Sequence, residues 1–389
     1  MKKNKKMYLA AGAALLVCCA AYTGCGAAGA KKKAAEGAEA GDSSGLAVRY
    51  AKHFDVEYLP DGVKLVTDYD GRRGLLLPEG VDAPDAEADF ILRTPVKKAL
   101  FMSSTQIGFL DVLEDKSLYD SVAAVTVPVE DWVLEPVAEG LRSGRIRYIE
   151  QSTWGVMDIE SVIRLSPDVV FAGTVDPGSD IFSRFDEAGI DYVVFGEWLE
   201  DSTLGSLEWI KFLAAFYNKD DEADAIFRRQ LARLDELVEL AGGIPQDERP
   251  VVACGSAYDG VVYAQGGDSI AASEYKRAGG RYFLEEGTGG GTLRITLEDF
   301  FSRARDADIL IYNSMIKYTP DKTALLAESP LFSSFKAFKN DEIYVLSSGY
   351  YMNGARIDVK FEDTLSILHN GLPGQDGGRK LSFYEKLPD

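Results

Sequence analysis

Two stretches far apart in the chain share one grammar. Residues 155–173, GVMDIESVIRLSPDVVFAG, and residues 293–313, LRITLEDFFSRARDADILIYN, each read as a capped amphipathic helix that runs through an aspartate into an apolar strand. Asp158 and Thr296 stand at the expected N-caps. Ile159 with Val162 and Ile163, and Leu297 with Phe300 and Phe301, form the apolar stripes. Glu160 and Glu298 take matching places in the first turns, and Asp168 and Asp308 open the strands. The second copy has two extra residues between its glutamate and its aspartate. A helix that delivers the chain to a buried strand is half of a βαβ unit, so the pattern demands parallel sheets covered by helices. A carboxylate in a first turn gains about 0.3–1 kcal/mol from the helix dipole, which explains either glutamate alone. It explains the matched pair less well.

The same alternation extends on both sides. From 46 to about 95 the chain reads as short strands and turns, including VKLVTDYDG and RRGLLLPEG. Then TQIGFLDVLED has helical spacing, VAAVTVP is a strand, DIFSRFDEAG a helix and DYVVFG a strand. TLGSLEWIKFLAAFYN gives a helix with Leu204, Leu207, Ile210, Leu213 and Tyr217 on one face. DEADAIFRRQLARLDELVELAGG gives a second helix, stopped by Gly242 and Gly243 and long enough, at roughly 30 Å, to reach from one domain to another. Beyond it come RPVVACGSA, GVVYAQGG, SIAASEYKRAGG, DILIYN, EIYVLSS and a last helix in ARIDVKFEDTLSILHNG. The expected organisation is an N-terminal α/β lobe over 46–202, connecting helices over 203–245 and a C-terminal α/β lobe over 246–389, with a ligand cleft between parallel-sheet lobes.

The first 24 residues read as an export signal. MKKNKK is basic, and the 16-residue apolar run MYLAAGAALLVCCAAY is shorter than a membrane span. YTGC ends it with small residues before Cys25. Residues 25–45 are small, polar and low in complexity, a flexible tether of roughly 25 Å. With Cys18 and Cys19 in the signal and Cys25 at its end, only Cys254 is left, so no intramolecular disulfide is expected. Cys254 sits in an apolar strand pattern that reads as an inert core thiol. The formal charge of −20 argues against nucleic acid, whose phosphates need clustered Lys and Arg.

YTGC resembles the bacterial lipobox, with Tyr22 where Leu is usual. The order of that start, one α/β lobe, a helical connection and a second α/β lobe resembles the substrate-binding lipoproteins of ABC importers. The D-I-E-S-V-I-R-L-S-P-D-V-V-F and T-L-E-D-F-F-S-R-A-R-D-A-D-I-L-I units carry the same likeness. It is to the helix-linked (class III) group that receives ferric siderophores, haem and cobalamin, and it spans roughly residues 90–389. GEWLEDSTLGSLEWIKFLAAFYNKDDEADAIF is similar to that family's passage into its connecting helices. The resemblance implies acylation at Cys25, and anchoring at the outer face of the cell membrane or in the periplasm. It implies a monomer that docks on a permease dimer through Glu160 and Glu298, a transported chelate or vitamin in place of any covalent cofactor, and no catalysis.

Ligands of doubly wound sheets sit beyond the carboxyl ends of the strands. The residues following each apolar run give Thr105, Thr174, Tyr258, Asn313, Tyr350, Tyr351 and Asn353 as ligand contacts, with Ser103, Ser104, Gly173, Ser256, Asp259 and Ser314 beside them. Trp154 precedes the Glu160 helix and joins the set. Aromatic walls with a few polar anchors suit a bulky chelate or macrocycle. Arg281, Arg294 and Arg356 are the cations available to an anionic one. A bare transition metal fits poorly, because the exported part holds only His53, His369 and the isolated Cys254. The competing reading is an exported, lipid-anchored esterase-like hydrolase with Ser269, in GGDSIAAS, as nucleophile and His369 as base. Against it, SILHN lacks an aspartate three residues before the histidine and no G-x-S-x-G is present. GTGGGT follows no clear strand and reads as a loop.

Overall fold

The computed structural model describes residues 47–151, 157–174, 179–369, 372 and 380–389. A four-stranded sheet comes first, β1 (Asp55–Tyr58), β2 (Lys64–Thr67), β3 (Arg73–Pro78) and β4 (Phe90–Thr94), in that spatial order. The first two pairings are antiparallel and the third parallel. Strand alternation divides its side chains: Val56, Val66, Leu76, Phe90 and Leu92 face the main core of the first lobe, while Val63, Leu65, Leu75 and Leu77 form a small core of their own.

The first lobe proper contains β5 (Ala99–Phe101), α1 (Ser104–Val112), β6 (Val122–Val125), α2 (Glu135–Ser143) and β7 (Arg147–Tyr148). It continues with α3 (Ile159–Leu165), β8 (Val169–Gly173), α4 (Ile181–Ala188) and β9 (Tyr192–Phe195). Its five strands are all parallel in the order β7-β6-β5-β8-β9. Both faces are buried. Phe101, Phe171 and Phe195 point to one core, and Leu100, Val170 and Val194 to the other.

Two helices then carry the chain across. In α5 (Thr203–Ala215) every residue from Leu207 to Ala215 is buried, because Trp209 and Phe212 enter the first lobe's core and Leu207 that of the second. The single apolar face expected from spacing is therefore too narrow; a helix packed on all sides is apolar all round. Helix α6 (Asp220–Gly242) has 23 residues and runs about 34 Å. Ala223 and Ile226 belong to the first core, and Leu234, Leu237 and Ala241 to the second, so it spans both as expected. The incoming chain is strapped over α5: the buried Glu208 carboxylate accepts the backbone N–H groups of Arg49, Tyr50 and Ala51 and pairs with Lys211 at 2.9 Å. Glu200 accepts those of Lys52 and His53, and the Trp209 indole N–H.

The second lobe contains β10 (Val251–Tyr258), β11 (Val261–Gln265), α7 (Ile270–Arg277), β12 (Arg281–Tyr282), β13 (Thr292–Thr296), α8 (Leu297–Ala304) and β14 (Ile309–Met315). It closes with α9 (Lys322–Glu328), α10 (Lys336–Lys339), β15 (Ile343–Leu346), α11 (Ile357–Leu368) and β16 (Tyr384–Lys386). The main path is β13-β11-β10-β14-β15-β16. Strands β10, β14 and β15 are parallel, but β11 and β16 run antiparallel to their neighbours. The reversal at β11 comes from a two-residue turn, Asp259 and Gly260, both with positive φ. Two α/β lobes with parallel central strands, joined by a long helix, are thus present, the second with antiparallel edges.

Candidate ligand cleft and docking faces

The repeated unit is one device used in both lobes. Asp158 caps α3 through the Ser161 N–H at 3.1 Å, and Thr296 caps α8 through the Asp299 N–H at 3.1 Å. The aspartates that follow are clamps. The Asp168 N–H donates to the Lys98 carbonyl at 2.7 Å, and its carboxylate accepts the N–H groups of Lys97 and Lys98 at 2.9 Å. Likewise the Asp308 N–H donates to the Val251 carbonyl at 2.9 Å, and its carboxylate accepts the Val251 N–H at 2.7 Å. Each clamp ties the strand after the repeated helix to the central strand of its sheet, β8 to β5 and β14 to β10. Glu160 and Glu298 are both exposed, and among the described residues neither carboxylate has an ion pair. Both helices start on the carboxyl-end side of their sheets. Helix α3 follows β7, which is parallel to β6, and Thr296 lies opposite Val261 at the β10–β11 turn.

On that same side the lobes meet in a seam. Ser103 caps α1, and the Gln106 side-chain carbonyl accepts the N–H groups of Met102 and Ser103 at 3.1 Å, which fixes the turn after β5. Helix α1 then abuts the loop after β15. A Cβ on Gly108 would lie 2.1 Å from the Met352 carbonyl oxygen, so only glycine allows this approach. Thr105 lies beside Gly354, and Met352 and Ala355 count among the buried residues of the first lobe's core. Two ion pairs cross the seam: Arg356 to Asp111 at 2.8 Å and Lys317 to Asp131 at 2.5 Å. Burial pulls the Lys317 ammonium down, but Asp131 and Tyr318 hold it above its ordinary value. Gly349 lies against Asn353 and Val133.

The structure therefore brings Thr105 and Asn353 to opposite sides of one seam. Thr174 stands half-buried at the end of β8, Tyr258 half-buried at the end of β10, and Asn313 half-buried within β14. Tyr350 packs into the second lobe, 5.6 Å from Phe383 and 5.9 Å from Tyr384 between ring centres, with Tyr351 edge-on at 5.3 Å. Trp154 and Cys25 lie outside the described residues. Sequence reasoning missed Asp131, Lys317 and Gly108, whose roles depend on a partner far along the chain. It also missed the Gln106 side-chain amide nitrogen, which is buried without a hydrogen-bond partner, as is the Ser256 hydroxyl.

The hydrolase reading fails on geometry. The Ser269 hydroxyl caps the start of α7 by accepting the Ala272 N–H, while His369 contacts the Ala278 carbonyl at 3.0 Å beyond its end. The eight helical residues of α7 lie between those points and hold them about 13 Å apart, too far for a nucleophile and its base. Burial also lowers the His369 pKa, and it pushes the Cys254 thiol up to about 11, as suits an inert core thiol. Ser269 lines a cavity of about 220 Å³ with Asp201, Glu274 and Phe361, and none of the proposed cleft residues borders it. GGDS and GTGGGT prove to be two halves of one structure. The Asp268 carboxylate accepts the N–H groups of Gly287 and Gly289 at 3.0 Å, and a Cβ on Gly267 would fall 1.9 Å from the Glu285 carbonyl oxygen. Arg281 donates to the Arg249 carbonyl at the amino end of the sheet, Arg294 lies near the Tyr263 ring on an edge strand, and Arg356 is taken up by Asp111.

Comparison with known proteins agrees with this architecture. A lipoprotein of unassigned role from Methanocaldococcus jannaschii is 26% identical over 366 residues, covering 87% of this chain and 85% of its own. A periplasmic haem-binding protein from Pseudomonas aeruginosa superposes with a TM-score of 0.56 at 15% identity, over 72% of this chain and 95% of that one. An ABC-type Fe3+-hydroxamate transport protein from Saccharomonospora viridis gives 0.52 at 19% identity, over 69% and 93%. At these identities the two structures establish the fold. The family model described as periplasmic binding protein matches residues 108–350, which run from within α1 to the loop after β15 and take in the connecting helices and most strands of both lobes; the chain belongs to that family of solute-binding proteins, which are not enzymes.

Proposed function

We propose that this protein is the extracytoplasmic receptor of an ABC importer, which captures a bulky metal chelate or macrocycle in the interlobe cleft and delivers it to a permease dimer. The ligand is a ferric siderophore, haem or cobalamin. The observation that carries the reading is the shared orientation of the two sheets, whose carboxyl ends meet along one seam and bring Thr105 and Asn353 together from different lobes. Thr174, Tyr258, Asn313, Tyr350, Tyr351 and Trp154 complete the contact set, the two adjacent tyrosines meeting edge-on. Glu160 and Glu298 dock on the permease, one from each lobe. Exposed ion pairs contribute about 0–1 kcal/mol each, so these set orientation and encounter rate more than affinity. The chain acts as a monomer, anchored through lipid on Cys25 and the 25–45 tether; the lipoprotein name of the Methanocaldococcus relative supports this anchoring. The lobes divide at 46–202 and 246–389, with 203–245 between them.

Native mass spectrometry of protein purified from its own host, with an absorbance scan, tests the reading. A mass increment accompanied by a ferric-chelate, haem or corrinoid spectrum is the expected result. Ester hydrolysis that disappears in Ser269→Ala would refute it.

A further inference from the structure

We propose that Gln106 and Ser256 are ligand contacts, one in each lobe, which give hydrogen bonds to oxygen acceptors on the rim of the bound chelate or macrocycle. This rests on the receptor reading above and adds to it two donors that hold the ligand. Both side chains are more than nine-tenths buried, and among the described residues neither the Gln106 amide nitrogen nor the Ser256 hydroxyl has a hydrogen-bond partner. A buried polar group without a partner costs stability, so its presence asks for a use outside the fold. Each of the two stands where its sheet changes direction. In the first lobe the chain runs from β5 outward to β6 and β7, then returns to β8 on the other side of β5. In the second it runs from β10 to β11, then returns to β14 on the other side of β10. The carboxyl ends of β5 with β8, and of β10 with β14, are therefore the switch points at which doubly wound sheets take their ligands.

Gln106 is fixed at the first of these. Its side-chain oxygen accepts the Met102 N–H at 3.1 Å, and that same N–H donates to the Phe171 carbonyl of β8 at 3.0 Å, so the amide sits between β5 and β8. The oxygen also accepts the Ser103 N–H at 3.1 Å. Two donors on one atom settle which end of the amide is which, because an amide turned over would set its NH2 against both N–H groups. The NH2 is thus an unused donor in the first turn of α1, next to the half-buried Thr105. Helix α1 is also the element on which the loop after β15 closes, with the Met352 carbonyl against Gly108, so separation of the lobes would lift that loop from it. Ser256 occupies the second switch point. The last register pair between β10 and β14 joins Gly255 to Tyr312, so Ser256 and Asn313 come next, side by side. Strand alternation puts Ser256 on the face of β10 that carries Val252 and Cys254, both in the second lobe's apolar core. Alanine would complete that row without an idle hydroxyl. Strand β10 ends two residues on, at the half-buried Tyr258, so Ser256 stands about 7 Å short of the strand's open end. The acceptors that match an amide NH2 and a hydroxyl are oxygens: those of a hydroxamate or catecholate, the carboxylates of a porphyrin, or the amide carbonyls of a corrinoid.

Binding is read by quenching of tryptophan fluorescence in the purified full chain, with a ferric tris-hydroxamate, a ferric tris-catecholate, haemin and cyanocobalamin as probes. Whichever the wild type binds names the source of the oxygens. Three variants are compared with it at pH 8, each with its urea unfolding midpoint. Gln106→Glu keeps an oxygen for the Met102 and Ser103 N–H groups and removes the NH2, while Gln106→Met removes the NH2 without adding charge. Ser256→Ala removes the hydroxyl. Gln106→Glu and Ser256→Ala should have midpoints equal to or above that of wild type, since neither breaks a hydrogen bond within the fold. Each of the three variants should nevertheless bind the probe about three- to tenfold more weakly, the loss of one hydrogen bond. Unchanged affinity in Gln106→Met and Ser256→Ala, whatever their midpoints, would overturn the inference and leave the receptor reading standing. Weakening by Gln106→Glu alone would be a charge effect and would overturn it equally. Binding of none of the four probes by folded wild type would overturn both.

Discussion

Glu197 offers a direct test of how burial sets charge at the end of β9. It opens a short turn, is 7% exposed, and has its carboxyl pushed from an ordinary 4.5 up to about 8 by burial, with its own N–H and that of Trp198 offsetting part of the effect. An acid whose folded pKa is raised holds its proton more tightly in the native state. The native protein therefore binds more protons than the unfolded chain between pH 4.5 and 8, and stability falls as pH rises through that window. Taking those two values, the penalty is about 1 kcal/mol at pH 5, about 3 at pH 7 and about 5 at pH 9. Glu197→Gln keeps the shape and cannot ionise. Relative to wild type it should gain about 4 kcal/mol between pH 5 and pH 9, whatever fixed cost its amide brings. Asp68, pushed up to about 6 mainly by burial, shapes both curves alike and cancels in the difference. Urea unfolding of both proteins at intervals across pH 5–9 measures it. Parallel stability curves would show that Glu197 titrates as a solvated carboxyl and that the reasoning from burial is wrong.

Loss of the clamp in Asp308→Ala should cost about 1–3 kcal/mol in urea unfolding, with Asp308→Asn costing less because its amide oxygen still accepts the Val251 N–H. Glu208→Ala leaves Lys211 buried without its closest partner and releases three backbone N–H groups. A loss of about 3–5 kcal/mol is expected, with faster proteolytic cutting near Lys52, and unchanged cutting would contradict the strap. Glu160→Lys with Glu298→Lys should leave ligand affinity unaltered by calorimetry but depress transport into permease vesicles, less so as salt rises. Normal transport by the double variant would reduce the repeated unit to a capped helix used twice.

Those parts of the fold that depend on neighbours in sequence were legible there. Asp158 and Thr296 cap because a short side chain meets an N–H three residues on, and both were readable from spacing. The long helix was readable because its apolar stripe drifts along 23 residues up to the glycine pair Gly242 and Gly243. Helix α2 was not read: Pro136 in its first turn and Gly140 inside it interrupt the usual pattern, although the proline is tolerated there and Gly140 fits tightly against Ile146. Strand β16 pairs with β15 only after a detour through α11, and nothing local to Tyr384–Lys386 marks it as an edge strand. The seam was legible only as candidate residues that follow strands by rule, of which Thr105 and Asn353 fall on it. Its ionic structure was not, because Lys317 and Asp131 stand 186 residues apart.

The position of the repeated helices bears on how a docked partner could act on the ligand. Helices α3 and α8 begin on the side of their sheets where the cleft opens, so a permease that engages Glu160 and Glu298 spans the seam and pulls on both lobes at once. Two kinds of contact resist that pull. Helix α6 is buried in both cores, and withdrawing Ile226, Leu234 and Leu237 from packing would each cost about 1.5–3 kcal/mol. The seam is held by Lys317 with Asp131 and Arg356 with Asp111, partly exposed pairs on the order of 1 kcal/mol each. Met352 and Ala355, buried in the first lobe's core, add packing to the seam, so parting it takes a docking energy of several kcal/mol, still less than withdrawing α6 from both cores. The lobes would separate at the ligand by breaking the two pairs that cross the seam, and the freed carboxylates, Asp131 and Asp111, would be left beside it.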